Sequence, residues 1–538
     1  MDGEAATAVD VGTSEDARLE ALGYKPQLNR VLGFFSNFAV AFTYLSPMVG
    51  IYSLFILGVG TGGPAYIWLT IIPVVGMLFV ALVFGELASH YPVAGALFQY
   101  SKFNVGAGYG WFVGWFYGIA LLVTVASVDT GVVSYVTALF HNWFGTNWNP
   151  ASHTTILLIT IVLLAIQTIG NTIGARVLGL IARFGVGVEI LGTVGIAIIL
   201  AIHGFHHGLG FLFTTQGVQH AANNPFKVGF GGSWVLAALV AVLAPVYIFY
   251  GFESAGDIAE ETKDAGRQIP KAMRHALIWG GVTSLILTGA LLLALPKTDP
   301  VGAAVSGNVA GILGQLSPGM QDFLLVLIIF AFFSCGSSVQ GAGSRLAFSF
   351  GRDGALPASN WISKVNTRFK TPVNALLAGA VISLAFVFLV YYSPSHNVHI
   401  WFVTYPANLN ALFALVSFAV SGIYLSFFLT VIGAMVARGR GWVPEGAFQL
   451  GKWGWTVSII AATYLGLMLI NVIYPSGLSS GRELFNYDWI TLGVMGVIAL
   501  VGALFFLIAR PDKNVQRHLH DAQEPTGAEL PGTAPTTT

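Results

Sequence analysis

Long apolar runs, each of about 20 residues, recur along this chain from Val31 to Ala509. An α-helix of that length crosses a hydrocarbon core of roughly 30 Å, and it satisfies its own backbone polar groups where water is absent. Only 9% of the residues are charged, against about 25% in an ordinary soluble domain. Because so few charges cannot cover a water-exposed surface, the sequence predicts an all-α polytopic membrane protein.

Breaker clusters between the apolar runs predict twelve transmembrane spans. Their approximate bounds are 31–60, 64–88, 107–138, 153–173, 177–203, 234–256, 275–296, 321–349, 372–393, 401–435, 453–475 and 487–510. If the N-terminus is cytoplasmic, all but three of the 24 lysines and arginines (Lys227, Lys297 and Arg482) lie in cytoplasmic segments or at cytoplasmic span ends. Positive charge is retained on the cytoplasmic side of a membrane. The segregation therefore predicts twelve spans, with both termini inside, in a plasma or inner membrane.

Two spans carry signals of an interrupted helix. Span one contains Ser-Pro-Met-Val-Gly-Ile-Tyr at 46–52, and span six contains Ala-Pro at 244–245 followed by Phe-Tyr-Gly-Phe-Glu-Ser at 249–254. Proline removes a backbone donor and glycine weakens a helix. Each interruption alone is compatible with an ordinary kink. Together they head successive five-span blocks of opposite topology, and matched breaks of this kind mark the substrate site of a carrier.

The predicted organisation follows from these two blocks. It comprises a cytoplasmic N-terminal segment at 1–30, a first repeat (spans one to five) at 31–203, an external loop at 204–233, a second repeat (spans six to ten) at 234–435, spans eleven and twelve at 436–510, and a disordered cytoplasmic tail at 511–538. The tail is rich in proline, threonine, glycine and charge, a composition that does not support a packed core.

Several motifs resemble those of the amino acid, polyamine and organocation (APC) superfamily. They are Glu-Leu-Ala-Ser-His-Tyr-Pro-Val-Ala-Gly at 86–95, Gly-Phe-Glu-Ser-Ala at 251–255 followed by Glu-Glu-Thr-Lys at 260–263, and Ser-Arg at 344–345 with Arg-Asp-Gly-Ala-Leu-Pro at 352–357. Two further motifs resemble the amino acid and choline transporter branch in particular: Ser-Gly-Ile-Tyr-Leu at 421–425 and Gly-Ala-Phe-Gln-Leu-Gly-Lys-Trp at 446–453. The resemblance covers most of the chain from Val31 to Arg510. It implies a leucine-transporter-like fold of ten helices in two inverted repeats, two added C-terminal helices, and substrates that carry an amine.

The same resemblance suggests where the substrate binds. Candidate substrate-binding residues are Ser46, Pro47, Met48, Val49, Gly50, Ile51, Asp129, Tyr247, Tyr250, Gly251, Phe252 and Glu253. Related permeases have small residues before a Gly-Ile-Phe-like triplet, whereas this chain has Met48 and Val49. A substrate carboxylate can still bind backbone N–H groups at the helix end, so the departure concerns the size of the pocket. Tyr247 falls where relatives place a gating aromatic, and its ring could hold an alkylammonium group.

Glu189 is the first candidate for ion coupling. It lies at the position in span five where several resembling permeases carry a lysine that replaces a sodium ion. An ionisable residue at this depth is costly and faces the bundle interior by default, and burial favours the protonated carboxyl group. The alternatives are a structural, hydrogen-bonded glutamic acid, or a sodium ligand with oxygen partners from Ser334, Ser337 or Ser338.

Two further acidic residues have open roles. Glu253 follows the span-six break, and the resemblance implies substrate or proton sensing there; alternatively it solvates an inner vestibule with Asp257, Glu260 and Glu261. Asp129 in span three could attract a substrate ammonium group, or be interfacial and hydrated.

Other classes of function fit the sequence less well. A channel would need a symmetric ring of carbonyls or charges, and an enzyme would need a nucleophile and base or a metal set. The single cysteine excludes a cysteine-based metal cluster, and the chain has no basic block typical of nucleic-acid binding. We therefore predict a secondary permease, a monomer or weak homo-oligomer in the lipid bilayer, that needs no cofactor or metal. Protons are the expected coupling ion and sodium the alternative; an amino acid, γ-aminobutyrate, choline or a polyamine would each fit as substrate.

Overall fold

The computed structural model describes residues 15–215, 218, 234–391, 396–401, 403–405, 411–474 and 489–516. This part of the chain is mostly helical, as the apolar runs predict. Its strands are β1 (Val398–Ile400) and β2 (Val403–Tyr405), which pair antiparallel. Lys227 and Arg482, and residues 517–538 of the predicted tail, lie outside the described residues.

After the helical turns at 15–21, the described part of the first half of the chain contains eight helices. They are α1 (Phe34–Leu45), α2 (Pro47–Gly62), α3 (Ile71–His90), α4 (Ala96–Asn104), α5 (Ala107–Gly131), α6 (Val133–Phe144), α7 (His153–Thr172) and α8 (Ala175–His203). Short 3₁₀ turns cover Pro64–Thr70 and Leu209–Phe213.

The second half contributes eleven more. They are α9 (Trp234–Ala241), α10 (Leu243–Ile248), α11 (Ser254–Asp257), α12 (Ala265–Leu293), α13 (Pro300–Leu313), α14 (Pro318–Arg352), α15 (Ser359–Ile362), α16 (Val373–Tyr391), α17 (Ala411–Gly439), α18 (Gly454–Ile473) and α19 (Ile490–Ala509). Short 3₁₀ turns cover Ala259–Glu261 and Gly451–Trp453.

Ten helical stretches of the described chain are long and apolar enough to cross a membrane. Three shorter apolar helices, Ala237–Ile248, Pro300–Leu313 and Val373–Leu389, accompany them. The most apolar part of Phe34–Gly62 is 94% buried, whereas that of Ile490–Ala509 is 11% buried. The interrupted first span therefore lies at the centre of the bundle, and α19 lies at its edge with its apolar side chains facing outwards.

The central position of α1 follows from its neighbours. It packs against α8, α12 and α14, while α5 packs against both α14 and α17. The short α11 contacts α1, α4, α12 and α14. Residues on α1 and α11 are thus enclosed by long helices from both halves of the chain.

The structure differs from the predicted boundaries in two places. Val403–Tyr405, taken as part of the start of span ten, form the second strand of the β-hairpin, and the described helix of this span covers Ala411–Gly439. β-branched and aromatic residues suit a strand as well as a membrane helix, which explains the difference. The segment after span seven was predicted as a loop but contains α13, which begins with Pro300 behind an Asp299 cap.

The segment that precedes α1 packs on one end of the bundle, which we call the N-terminal face. Leu19, Leu22 and Tyr24 are buried there. The Glu15 carboxylate accepts hydrogen bonds from the N–H groups of Asp264 and Ala265, at 3.2 and 2.6 Å. These contacts attach the start of the described chain to the beginning of α12.

A candidate substrate and coupling site at two helix breaks

The first break is a single residue, Ser46, between α1 and α2. Its φ of 38° lies in the left-handed region, which serine seldom adopts. Its N–H donates to Phe42 O and ends α1, while its Oγ accepts from the Val49 N–H at 3.3 Å. Pro47 follows as the first residue of α2, where a missing N–H costs nothing. The sequence Ser-Pro thus places the positively polarised N-terminus of α2 in the centre of the protein.

The second break is wider and spans residues 249–253 between α10 and α11. Gly251 has a φ of 108°, which only glycine adopts readily. Its N–H donates to Glu253 Oε2 at 2.7 Å, and its carbonyl oxygen accepts from Ser254 Oγ at 2.7 Å. Side chains therefore form hydrogen bonds with the Gly251 N–H and carbonyl groups, which the unwound helix would otherwise leave without partners in an apolar interior.

The structure places the two breaks side by side, with contacts made by residues at and beside each break. A Cβ atom on Gly50 would overlap the side chain of Ile248. A Cβ atom on Gly251 would lie 2.7 Å from the Tyr44 ring and 2.8 Å from the Leu45 nitrogen. Both glycines permit an approach that a side chain would prevent.

Glu189 lies on α8 beside the first break and is 1% exposed. The polar groups that face its carboxyl group are the Ser46 hydroxyl and the Met48 backbone N–H, although neither carboxyl oxygen forms a hydrogen bond of good geometry. Gly192, further along α8, packs against the Met48 thioether. The carboxyl group thus faces the start of α2 without a cation beside it.

Glu253 is fully buried and has a neighbour that sequence reasoning missed. The Tyr117 hydroxyl on α5 lies 3.3 Å from Glu253 Oε1 and 2.7 Å from Asp257 Oδ2. Asp257, which was grouped with solvated residues of a vestibule, is itself 0% exposed. That assignment was wrong because α11 turns inwards against α1. The i, i+4 spacing from Glu253 was the signal that could have revealed it.

The predicted aromatic residues of span six contact different helices. The Tyr247 hydroxyl lies 3.1 Å from Ser127 Oγ, and the Tyr250 ring meets the Tyr44 ring edge-on at 6.0 Å between centroids. Phe252 instead packs against aromatic rings of α3 and α17. Tyr247 and Tyr250 are therefore the aromatic residues that link the second break to α5 and α1.

The carboxyl group of Asp129 does not contact either helix break. Gln167 Nε2 donates to Asp129 Oδ1 at 2.7 Å, and Gly336 of α14 packs against both side chains. The alternative of a hydrated interfacial residue does not hold, because Asp129 is 1% exposed. Its carboxyl group instead joins α5 to α7.

The span-eight serines lie on two sides of α14. Ser338 Oγ is 2.8 Å from Thr43 Oγ1 on α1, and Gly185 of α8 packs against both Ser334 and Thr43. Ser337 Oγ donates to the Phe333 carbonyl oxygen. Hydroxyl oxygens of α1 and α14 thus meet close to α8. In the described part of the chain, no three His, Cys, Asp or Glu side chains cluster as metal ligands would.

A separate, apolar cavity of about 1090 Å³ lies between α5, α14, α16 and α19. No residue of either break lines it.

Buried ion pairs join the sequence motifs at the N-terminal face. Four pairs connect these segments: Arg345 with Glu261 at 2.8 Å, Arg352 with Glu260 at 2.9 Å, Lys102 with Asp353 at 2.7 Å, and Arg438 with Glu86. The Arg345–Glu261 contact is bidentate, with a second bond of 3.0 Å. Burial lowers the pKa of Lys102, and the neighbouring Asp353 carboxylate opposes that shift. The motifs after spans six and eight thus hold each other, while Glu86 of the motif after span two binds the end of α17.

The same face binds residues 446–453. The N–H groups of Phe448 and Leu450 donate to Ser89 Oγ at 2.9 Å and to Glu86 Oε1 at 2.7 Å. The Tyr24 hydroxyl lies about equally close to Gln99 Oε1 and Asp353, at 3.0 Å each. These hydrogen bonds join residues 446–453 and the N-terminal segment to the N-terminal face.

Comparisons with known proteins agree with this arrangement. Residues 32–497 match the family described as "Amino acid permease". The chain is 26% identical to the amino-acid permease BAT1 of Arabidopsis thaliana, over 93% of this chain and 96% of the relative. It is 24% identical to the thiamine transporter thi9 of Schizosaccharomyces pombe, over 96% and 90%, and 25% identical to the choline transporter of Saccharomyces cerevisiae, over 86% and 78%.

All three relatives are named as transporters of small molecules. The resemblance predicted from the motifs is confirmed, because the family match extends from the residues before the first break to α19. This chain, a multi-pass membrane protein with two interrupted helices at its centre, belongs to the amino acid permease family.

Proposed function

We propose that this protein is a secondary active transporter that moves an amino acid or a related amine by alternating access. The observation that carries the proposal is the contact between the two helix breaks, Gly50 against Ile248 and Gly251 against Leu45. In carriers, discontinuous helices that meet at mid-membrane depth form the substrate site. The family match supports transport, and the buried site supports a carrier over an open pore.

The proposed topology has twelve spans in two inverted five-span repeats, followed by two added spans. The ten long helical stretches supply ten of the spans, and Ala237–Ile248 and Val373–Leu389 supply the sixth and ninth. We assign the N-terminal face and both termini to the cytoplasm, which the distribution of lysine and arginine supports. We place the protein, as a monomer or weak homo-oligomer, in the plasma or inner membrane.

We assign substrate binding to the space where the breaks meet. The N-terminus of α2 would bind a carboxylate, through the Met48 N–H and through the Val49 N–H once it leaves Ser46 Oγ, because a helix N-terminus carries partial positive charge. Carbonyl groups of the second break and the rings of Tyr247 and Tyr250 would bind the ammonium group.

Coupling to protons is assigned to Glu189. Its carboxyl group faces the Ser46 hydroxyl and Met48 N–H with no cation beside it. An ionised Glu189 would attract these donors and the end of α2, and a neutral one would release them, so proton binding would change the geometry of the break. The sodium alternative would use hydroxyl oxygens of Thr43, Ser334 and Ser338.

An organic cation without a carboxylate is a second candidate substrate. The observation in its favour is that Glu189 itself faces the Met48 N–H, where a substrate carboxylate would otherwise bind. The relatives named for choline and thiamine transport agree with this possibility. Both candidates share an amine and the same pair of breaks.

Uptake into proteoliposomes tests the proposal. The panel would comprise neutral amino acids, γ-aminobutyrate, choline, thiamine and a polyamine, each with an imposed pH gradient, a sodium gradient or neither. We expect saturable uptake of one class, with counterflow, that an inward proton gradient increases. Uptake that responds only to sodium would assign coupling to the hydroxyl oxygens of Thr43, Ser334 and Ser338 instead of Glu189. Absence of counterflow would contradict a carrier.

A further inference from the structure

Two buried carboxyl groups share one hydroxyl group just beyond the second break. Glu253 and Asp257 are both 0% exposed. The Tyr117 hydroxyl lies 3.3 Å from Glu253 Oε1 and 2.7 Å from Asp257 Oδ2. Because a tyrosine hydroxyl has a single proton to donate, it can satisfy only one of the two carboxyl groups at a time.

No lysine, arginine or histidine in the described chain forms an ion pair with either carboxyl group. The titratable groups that face the pair are Tyr44 from α1, Tyr100 from α4, Tyr117 from α5 and, for Glu253, Tyr250 of the second break. Glu253 Oε2 also accepts a hydrogen bond from the Gly251 N–H. The neighbouring cation of α14, Arg345, is held by Glu261, and α12 contributes the uncharged Met273. Two carboxylates without a cation are not stable together in an apolar interior, so one of them carries a proton.

Other buried polar groups beside the two acids also indicate that a proton can bind to and leave this pair. The hydroxyls of Tyr44 and Tyr100 are buried and have no hydrogen-bond partner among the described residues, and the same is true of Asp257 Oδ1. Tyr44 lies beside both carboxyl groups, and Tyr100 lies beside Asp257. Hydroxyl groups on three helices thus lie near the two acids. When the pair holds one proton, the hydroxyls of Tyr44 and Tyr100 can still donate further hydrogen bonds to it.

We propose that Asp257, Glu253 and Tyr117 form a proton-binding site that is separate from Glu189 and controls the position of α11. The inference rests on the proposed transport function. With one proton the pair has a single negative charge, which the tyrosine hydroxyls stabilise. When that proton passes to water at the N-terminal face, the two carboxylates repel each other and the four-residue α11 moves away from α1. Because α11 directly follows the second break, this movement would open the substrate site towards the N-terminal face.

Infrared spectroscopy of the full-length protein in lipid vesicles tests the site without any substrate. Protonated carboxyl groups absorb separately from carboxylates, and the absorption would be recorded across a pH series for the wild type and for Asp257→Asn. We expect a titrating carboxyl band in the wild type that Asp257→Asn removes and Glu189→Gln retains. A band unchanged in Asp257→Asn would overturn the proposal.

Tyr117→Phe provides a second variant, since it keeps both acids. Loss of the shared donor removes a hydrogen bond that stabilises the carboxylate form, so the midpoint of the band should move to higher pH. An unshifted midpoint would contradict the shared-hydroxyl geometry even if Asp257→Asn fails to fold. Because these measurements need no transport, a failed uptake assay with a normal titration would count against the proposed function and leave the proton site standing.

Discussion

Two groups of buried acids in the described chain differ in their partners. At the N-terminal face, Glu86, Glu260, Glu261 and Asp353 each contact a lysine or arginine. Around the breaks, Glu189, Glu253 and Asp257 are equally buried but form no ion pair in the described chain. Paired charges hold one geometry, whereas an unpaired acid exchanges a proton with its surroundings. The first region therefore closes the bundle, and the second provides groups whose charge can change.

The largest effect is expected from separating a pair in the first region. Arg345→Met would leave Glu261 buried without its bidentate partner and destabilise the fold by about 3 to 5 kcal/mol. Thermal unfolding in detergent, followed by fluorescence-detected gel filtration, would measure the loss. The double variant with Glu261→Leu should recover most of it; no recovery would show that Arg345 acts through packing alone.

The contact between the breaks should be the next most sensitive feature. Gly251→Ala places a Cβ 2.8 Å from the Leu45 nitrogen at a φ of 108°, which we expect to cost about 1 to 3 kcal/mol and to reduce transport. Gly195→Ala is the matched control, because nothing lies within 4 Å of a Cβ there and alanine favours a helix. Equal stability of the two variants in the same unfolding assay would show that the breaks are not in close contact.

A single hydroxyl group in the paired region should have a smaller effect. Tyr24→Phe removes a hydrogen-bonding group buried beside Asp353 and Gln99, and we expect a loss of about 1 to 2 kcal/mol. Protease cleavage of the N-terminal segment in the folded protein would measure it, since that segment should detach more often. An unchanged cleavage rate would mean that the other contacts of the segment, those of Leu19, Leu22 and Glu15, are enough to hold it.

Glu189→Gln should change stability least, by less than about 1 kcal/mol. The neutral amide resembles the protonated acid, and Glu189 has no ion pair to lose. Glu261→Gln, the same change in the paired region, is the comparison and should be clearly more destabilising in the unfolding assay. Equal losses would remove the distinction between the two regions.

The sequence predicted the breaks because their signals are local. Proline at 47 removes a backbone donor and glycine at 251 permits a positive φ, and both effects depend on the residue alone. Asp257 could not be placed in this way, since its burial depends on how α11 turns against α1 and α4. Likewise, motif residues such as Arg345 and Glu261 were recognisable, but their pairing joins segments 84 residues apart. The hairpin after α16 was missed because aromatic and β-branched residues are common to strands and membrane helices.

The central claim, that an unpaired acid at the first break couples transport to protons, is tested most directly by Glu189→Gln in proteoliposomes. One charge moving through 100 mV is worth about 2.3 kcal/mol, or about 1.7 decades of accumulation. For the compound that the wild type transports, we predict that Glu189→Gln loses accumulation driven by a proton gradient but still exchanges internal for external substrate, while the surface variant Glu20→Gln behaves as the wild type. Undiminished proton-driven accumulation in Glu189→Gln would contradict the account.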